Sequence, residues 1–161
     1  MTRRRQLLQA GALGTAATFT TSLYAQTRPT VRWRMAALYP RSLDTCYGAT
    51  EQMCKRVGEL TDGKFSITLH PPGDLVPPLQ VLDAVSAGTV EAGQVSGSFY
   101  FGKNPALVFE SGLPFGLHAR EQNASLYGVG GPKKVQKVFA QTGSHSVPCG
   151  NFGTQMGGWF R

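Results

Sequence analysis

Strand-like and helix-like stretches alternate along this chain, and that alternation predicts an α/β fold with a mostly parallel sheet covered by helices on both faces. Three observations carry the prediction. Val31 to Leu38 is a β-like run, with Trp33 and Met35 on one face, closed by Tyr39-Pro40. Phe65-Ser66-Ile67-Thr68-Leu69 alternates at period two, as a half-buried strand does. Between them Leu43, Tyr47, Met53, Cys54, Val57 and Leu60 recur on a 3.6-residue stripe.

Each element has its own boundary signals. Ser42 is positioned to cap the first helix, and Asp62-Gly63 to stop it. Pro77-Pro78 opens a second helix with Leu79, Leu82 and Val85 expected inward, and Gly88 ends it. Val90 to Ser96 reads as a short strand of small residues. Ala119 to Tyr127 and Pro132 to Gln141 read as two helices broken by Gly128-Val129-Gly130-Gly131. Ser144 to Cys149 is a further β-like run, followed by Gly150-Asn151-Phe152-Gly153-Thr154-Gln155-Met156-Gly157-Gly158-Trp159-Phe160-Arg161.

In open parallel sheets ligands sit outside the carboxyl ends of the strands. That rule selects Tyr39 after the first strand, Ser98-Phe99-Tyr100-Phe101 after the third, and Gln155 after the last. A phenol such as Tyr100 can donate to a carboxylate while its ring walls a pocket, and Gln155 offers both a carbonyl and amide donors among glycines that admit close approach. Tyr39 and Phe99 fit ligand contact and aromatic packing equally well. Trp159 and Phe160 read as packing residues.

The chain opens with an export address. Arg3-Arg4-Arg5 precedes Leu7-Leu8 and a weakly apolar run to Leu23, with Ala25 at the cut position. This is a signal peptide over residues 1–25, too short and Thr-rich for a membrane span. Arg4-Arg5-Gln6-Leu7-Leu8 comes close to the twin-arginine pattern, and the general secretory route remains the alternative.

Removing Arg3, Arg4 and Arg5 with that segment leaves 13 Lys and Arg against 9 Asp and Glu, so the formal charge falls from +7 to +4. With no long basic run, nucleic acid is not an expected partner. The mild excess suits a protein that collects anions. The three cysteines form no CxxC, and no HxxxH spacing exists. Cys46 and Cys54 lie too far apart along one helix to bridge, so all three thiols are expected unpaired, although Cys149 could approach Cys46. His70 and His118 read as turn residues, the Gly128 cluster lacks the strand of a dinucleotide site, and Ser144-His145-Ser146 lacks a positioned acid. No enzyme is predicted.

The segment Gly150 to Arg161 resembles the middle of the solute-binding subunits of tripartite ATP-independent periplasmic (TRAP) transporters, in the branch that binds 2-oxo acids and other monocarboxylates. Val31-Arg32-Trp33-Arg34-Met35-Ala36, Gln80 to Val85 with Gly88 to Gly93, and Tyr100-Phe101-Gly102-Lys103-Asn104-Pro105 fit the same family in the same order. The resemblance implies a two-lobed (type II) periplasmic binding protein-like fold, with residues 26–161 forming most of the first lobe. It implies a periplasmic receptor that captures a small organic acid anion, such as pyruvate, and delivers it to TRAP membrane permease subunits. It further implies that Gln155 faces the acid and also ligates a Na⁺ or Ca²⁺ that bridges to it, with no covalent cofactor. A homodimer of the complete protein is compatible with it. The alternative is an exported fragment of such a protein with no complete binding site.

Overall fold

The computed structural model describes residues 29–128, 130–150, 152 and 153. The export address and Gln155 lie outside the described residues. Three parallel strands form the sheet, β1 (Val31–Ala37), β2 (Phe65–His70) and β3 (Ala92–Gln94), in the order β2-β1-β3. β1 is therefore central, pairing Val31 with Phe65 at one end and Ala37 with Gln94 at the other.

α1 (Asp44–Leu60) connects β1 to β2. Its buried face is Cys46, Tyr47, Thr50 and Cys54, whose spacing stacks them on one side of a 3.6-residue helix. Leu60 of the expected stripe, the last residue of the helix, is exposed. Ser42 does not cap. Leu43 holds the cap position, its carbonyl accepts the amides of Cys46 and Tyr47 at 3.1 and 2.9 Å, and its own amide donates to Pro40. A backbone turn thus does what the hydroxyl was expected to do. At the other end the Thr61 hydroxyl donates to the Val57 carbonyl at 2.8 Å and accepts the Phe65 amide at 3.1 Å, tying helix to strand.

α2 (Val81–Ser86) follows a 3₁₀ turn at Pro78–Gln80. The tighter turn changes the helical phase, so Val81 is fully buried while Leu79, expected inward, is exposed. α2 then packs so closely on β3 that a Cβ at Gly93 would lie 2.5 Å from Val81 Cγ1. Only glycine fits there. Gly88, at φ 70°, closes the segment.

The expected strand over Val90 to Ser96 shrinks to three residues because the chain turns into a 3₁₀ segment at Gly97–Tyr100. Next come a third 3₁₀ turn at Pro105–Leu107, α3 (Val108–Ser111), α4 (Ala119–Gly128) and α5 (Gly131–Ala140). Among the described residues, the β-like run Ser144 to Cys149 joins no sheet. The amide side chain of Gln136 takes the place of a strand partner, accepting the Ser146 amide at 3.0 Å and donating to the Ser144 carbonyl at 3.2 Å.

Two apolar clusters hold these layers. Ala36, Val81, Ala84 and Val90 sit between the sheet and α2, and Leu82, Tyr100, Leu107 and Phe139 join α2 to α5. Val95, just after β3, packs against both and joins them. Midway along β1, Arg34 binds both Glu91 carboxylate oxygens, at 2.9 and 3.1 Å, and Glu91 also accepts the Arg34 backbone amide at 2.8 Å. These hydrogen bonds hold the Glu91 carboxyl at a pKa of about 2.

Candidate functional site

β1 and β3 end side by side, where the Leu38 amide donates to the Gln94 carbonyl at 2.9 Å. The next residue, Tyr39, is thereby carried over the carboxyl edge of the sheet. Its ring meets Phe99 edge-on at 6.2 Å and Phe152 at 5.2 Å between centroids. Burial pushes the Tyr39 phenol up, partly offset by a hydrogen bond with Ser96. The Ser96 and Ser98 hydroxyls are 3.0 Å apart. Two phenyl rings, a phenol and two hydroxyls thus meet at the sheet edge, with Arg41 two residues beyond Tyr39 and its guanidinium 5.8 Å from the Tyr47 ring centroid.

The 3₁₀ turn that carries Phe99 is pinned from below. Glu110 accepts the Gly97 amide at 2.9 Å, and its carboxyl is pushed up by burial and drawn down again by that bond. A Cβ at Gly97 would stand 2.1 Å from the Leu107 carbonyl oxygen, so the turn admits no side chain at this point. Sequence reading missed Glu110. Its signal would have been a lone acid within the apolar run Ala106 to Leu113.

Tyr100 lies elsewhere than expected. It is buried in the second cluster, and its hydroxyl accepts the Leu82 amide at 3.2 Å. That amide is in the first turn of α2, where no intrahelical acceptor exists, so the phenol serves as a cap. The structure therefore brings Tyr39 and Phe99 together at the edge, and turns Tyr100 inward because a 3₁₀ turn sets every third residue on one face, burying Gly97 and Tyr100 and leaving Ser98 and Phe99 exposed. Gln155 lies outside the described residues.

Gln94, at the end of β3, is a second residue that sequence reading passed over. Its amide nitrogen donates to the Cys46 carbonyl at 2.7 Å and to the Thr50 hydroxyl, which itself donates to Cys46 at 2.9 Å. α1 is thereby locked to the sheet end behind Tyr39. The three cysteines are free, and Cys149 sits with Sγ 3.5 Å from Met53 Sδ and 3.6 Å from the Thr50 hydroxyl. Burial pushes the Cys46 and Cys54 thiols up, which keeps them protonated.

The fold is of α/β class, and the carboxyl edge of its parallel sheet, where small-molecule sites of such folds are found, gathers aromatic rings and hydroxyls. The family model described as bacterial extracellular solute-binding protein, family 7, matches residues 37–156, and the chain belongs to that family. It is 48% identical over 99% of its length to the monocarboxylate 2-oxoacid-binding periplasmic protein of a Nostoc species, and covers 45% of that relative. A TRAP transporter solute-binding protein from Bordetella bronchiseptica RB50 is 51% identical, with a TM-score of 0.79 over 83% of this chain and 40% of the other. That structure is a mixed-occupancy dimer, with calcium and picolinate in one active site and an apo site beside it. A third, from Colwellia psychrerythraea, holds calcium and pyruvate and is 34% identical, with a TM-score of 0.77 over 81% of this chain and 40% of that one. The chain thus spans less than half the length of the relatives it matches.

Proposed function

We propose that this chain forms the first lobe of a periplasmic receptor that captures a 2-oxo acid, such as pyruvate, for a TRAP transporter. The observation that carries the reading is the pairing of ligands in its relatives: pyruvate and picolinate, each with calcium, in proteins 34% and 51% identical to it. Both acids set a second lone pair next to the carboxylate, a keto oxygen in one and a ring nitrogen in the other. Each can therefore chelate a hard cation, and a cation bridge is the shared chemistry.

In this reading residues 1–25 are the export signal and residues 26–161 belong to the first lobe. Tyr39 and the Ser96–Ser98 hydroxyls supply hydrogen bonds and a wall at the sheet edge. Gln155 supplies a neutral oxygen to the acid and to Ca²⁺ or Na⁺, as such hard cations prefer. Tyr100 acts one layer deeper, holding α2 and the turn that presents Phe99. Binding needs no covalent step, so the protein works as a receptor and not as an enzyme. The permease subunits are its partners, and a homodimer of the complete receptor is compatible with the Bordetella protein's dimer.

The test is calorimetric titration of pyruvate, with and without Ca²⁺, into the chain extended by the polypeptide that follows the matched region in the Bordetella relative. Saturable, cation-dependent binding that Tyr39→Ala and Gln155→Ala each weaken supports the reading. Absence of binding by a folded extended chain overturns it.

A further inference from the structure

Cys46, Thr50 and Cys54 follow one another at one-turn intervals on the buried face of α1. Cys149, at the end of the run from Ser144, comes down on the middle of that row. Its Sγ lies 3.6 Å from the Thr50 hydroxyl and 3.5 Å from Met53 Sδ. Gly150 continues along the same helix, where a Cβ would stand 3.7 Å from the Thr45 carbonyl oxygen and 3.8 Å from Ala49 Cβ. Helix residues one turn apart have Cβ atoms about 5–6 Å apart, so the Cys149 sulfur is a short shift from both helix thiols. It lies within electrostatic reach of each.

Two details choose between the helix thiols. Met53 directly precedes Cys54, so the thioether contact sets Cys149 on the Cys54 side of Thr50. The Cys46 thiol already has a partner, since a hydrogen bond with Thr45 draws back the rise that burial gives it. Spacing along α1 excludes a bond between Cys46 and Cys54, but Cys149 reaches Cys54 from outside the helix. Its segment is free to make the shift: Gln136 holds it at Ser144 and Ser146, short of Cys149.

The free sulfurs are the reduced form. The Nostoc relative is a periplasmic protein, and the periplasm is kept oxidising. We propose that Cys149 and Cys54 close a disulfide there, stapling the segment before Phe152 to α1. Phe152 packs on Tyr39 at 5.2 Å between ring centroids, so the bond fixes the segment that brings one wall of the candidate site. The step is thiol–disulfide exchange with a small disulfide or an exported dithiol oxidase. Cys149 attacks that disulfide and displaces one of its thiols, the Cys54 thiolate attacks the Cys149 sulfur, and the second thiol leaves. Two protein thiols are oxidised and one disulfide is reduced. Burial raises the Cys54 thiol, so closure quickens as the pH rises. The proposal rests on the periplasmic placement and not on the acid assigned above.

The experiment equilibrates the chain with reduced and oxidised glutathione, traps remaining thiols with iodoacetamide, and maps linked peptides by mass without reductant. Cys46→Ser, Cys54→Ser and Cys149→Ser are treated in parallel, beside a parent sample kept unfolded in urea. The parent and Cys46→Ser should each lose the mass of two hydrogens and yield a single link, Cys54 to Cys149. The other two variants should yield no internal link, and the urea sample should scatter over every pairing. Closure from the mixed disulfide should quicken about tenfold per pH unit until the Cys54 thiol titrates. Reductant should lower the melting temperature of the parent and of Cys46→Ser, and leave that of Cys54→Ser unchanged. Fully alkylated thiols in the parent at every glutathione ratio would overturn the proposal. So would a link to Cys46, or a parent whose pairings match those in urea. Pyruvate is absent from every arm, so failure here leaves the receptor reading standing.

Discussion

The Tyr100 hydroxyl accepts the backbone amide of Leu82 at 3.2 Å, so one phenol joins the turn after β3 to the first turn of α2. Tyr100→Phe keeps the ring in the core but leaves that amide buried without an acceptor. A stranded buried donor costs roughly 1–3 kcal/mol. Chemical denaturation should show a loss of that size, while pyruvate affinity of an extended chain should change by less than about threefold. A large affinity loss with intact stability would instead put Tyr100 in contact with the ligand.

Gly97 is the tightest point beneath the candidate site. Gly97→Ala places a methyl against the Leu107 carbonyl oxygen, and backbone cannot yield as a side-chain tip can. Overpacking of this kind costs about 1–3 kcal/mol. The melting temperature should fall, and the displaced Phe99 should weaken ligand binding in the extended chain beyond the effect of stability alone. An unchanged melting temperature would show that the turn is looser than described.

The Arg34–Glu91 pair sets an acid limit on stability. Glu91 is held at about 2 against an ordinary value of 4.5, so its contribution is full above about 4.5 and is lost as the pH falls toward 2. Denaturation midpoints measured across that window should drop more steeply for the parent than for Glu91→Gln. Parallel curves would remove the pair from the acid response.

Glu110 works in the opposite sense. Burial raises its carboxyl, so the ionised form is the disfavoured one in the folded state. Its contribution is most favourable at low pH, and stability declines as the pH rises from the ordinary carboxylate value through the raised one. Glu110→Gln keeps an acceptor for the Gly97 amide and removes the buried charge. The variant should match or exceed the parent in stability at neutral pH and lose that part of the pH slope. A strongly destabilised Gln variant would mean that the ionised carboxylate is required.

Much of the architecture was legible in the sequence because its cues are local. Period-two runs marked β1 and β2, the Pro77-Pro78 and Gly88 pair bounded the α2 segment, and glycines separated α4 from α5. What was not legible depended on contacts distant in sequence. Ser144 to Cys149 has the composition of a strand, yet Gln136 bonds the Ser144 carbonyl and the Ser146 amide, and among the described residues no strand pairs with the run. Leu79 fits a helical stripe, but it lies within a 3₁₀ turn, Pro78–Gln80, which puts Val81 in its place. The carboxyl-edge rule selected Tyr39 and Phe99, and their rings do meet at the sheet edge. It could not tell which face of the next turn Tyr100 would occupy, nor find Glu110, which reaches Gly97 across 13 residues.

The most direct test compares pyruvate binding by residues 26–161 with binding by the extended chain, in Ca²⁺ and after chelation, using calorimetry. A carboxylate leaving water needs charge-assisted partners from more than one surface, and Tyr39 with Gln155 on an open face would leave it largely hydrated. Residues 26–161 alone should therefore bind no more tightly than about 1 mM, roughly −4 kcal/mol. The extended chain should bind at least about a hundredfold more tightly in Ca²⁺, and Gln155→Ala should abolish most of that gain. Micromolar pyruvate binding by residues 26–161 alone, or an extended chain indifferent to both Ca²⁺ and Gln155, would contradict the proposed receptor.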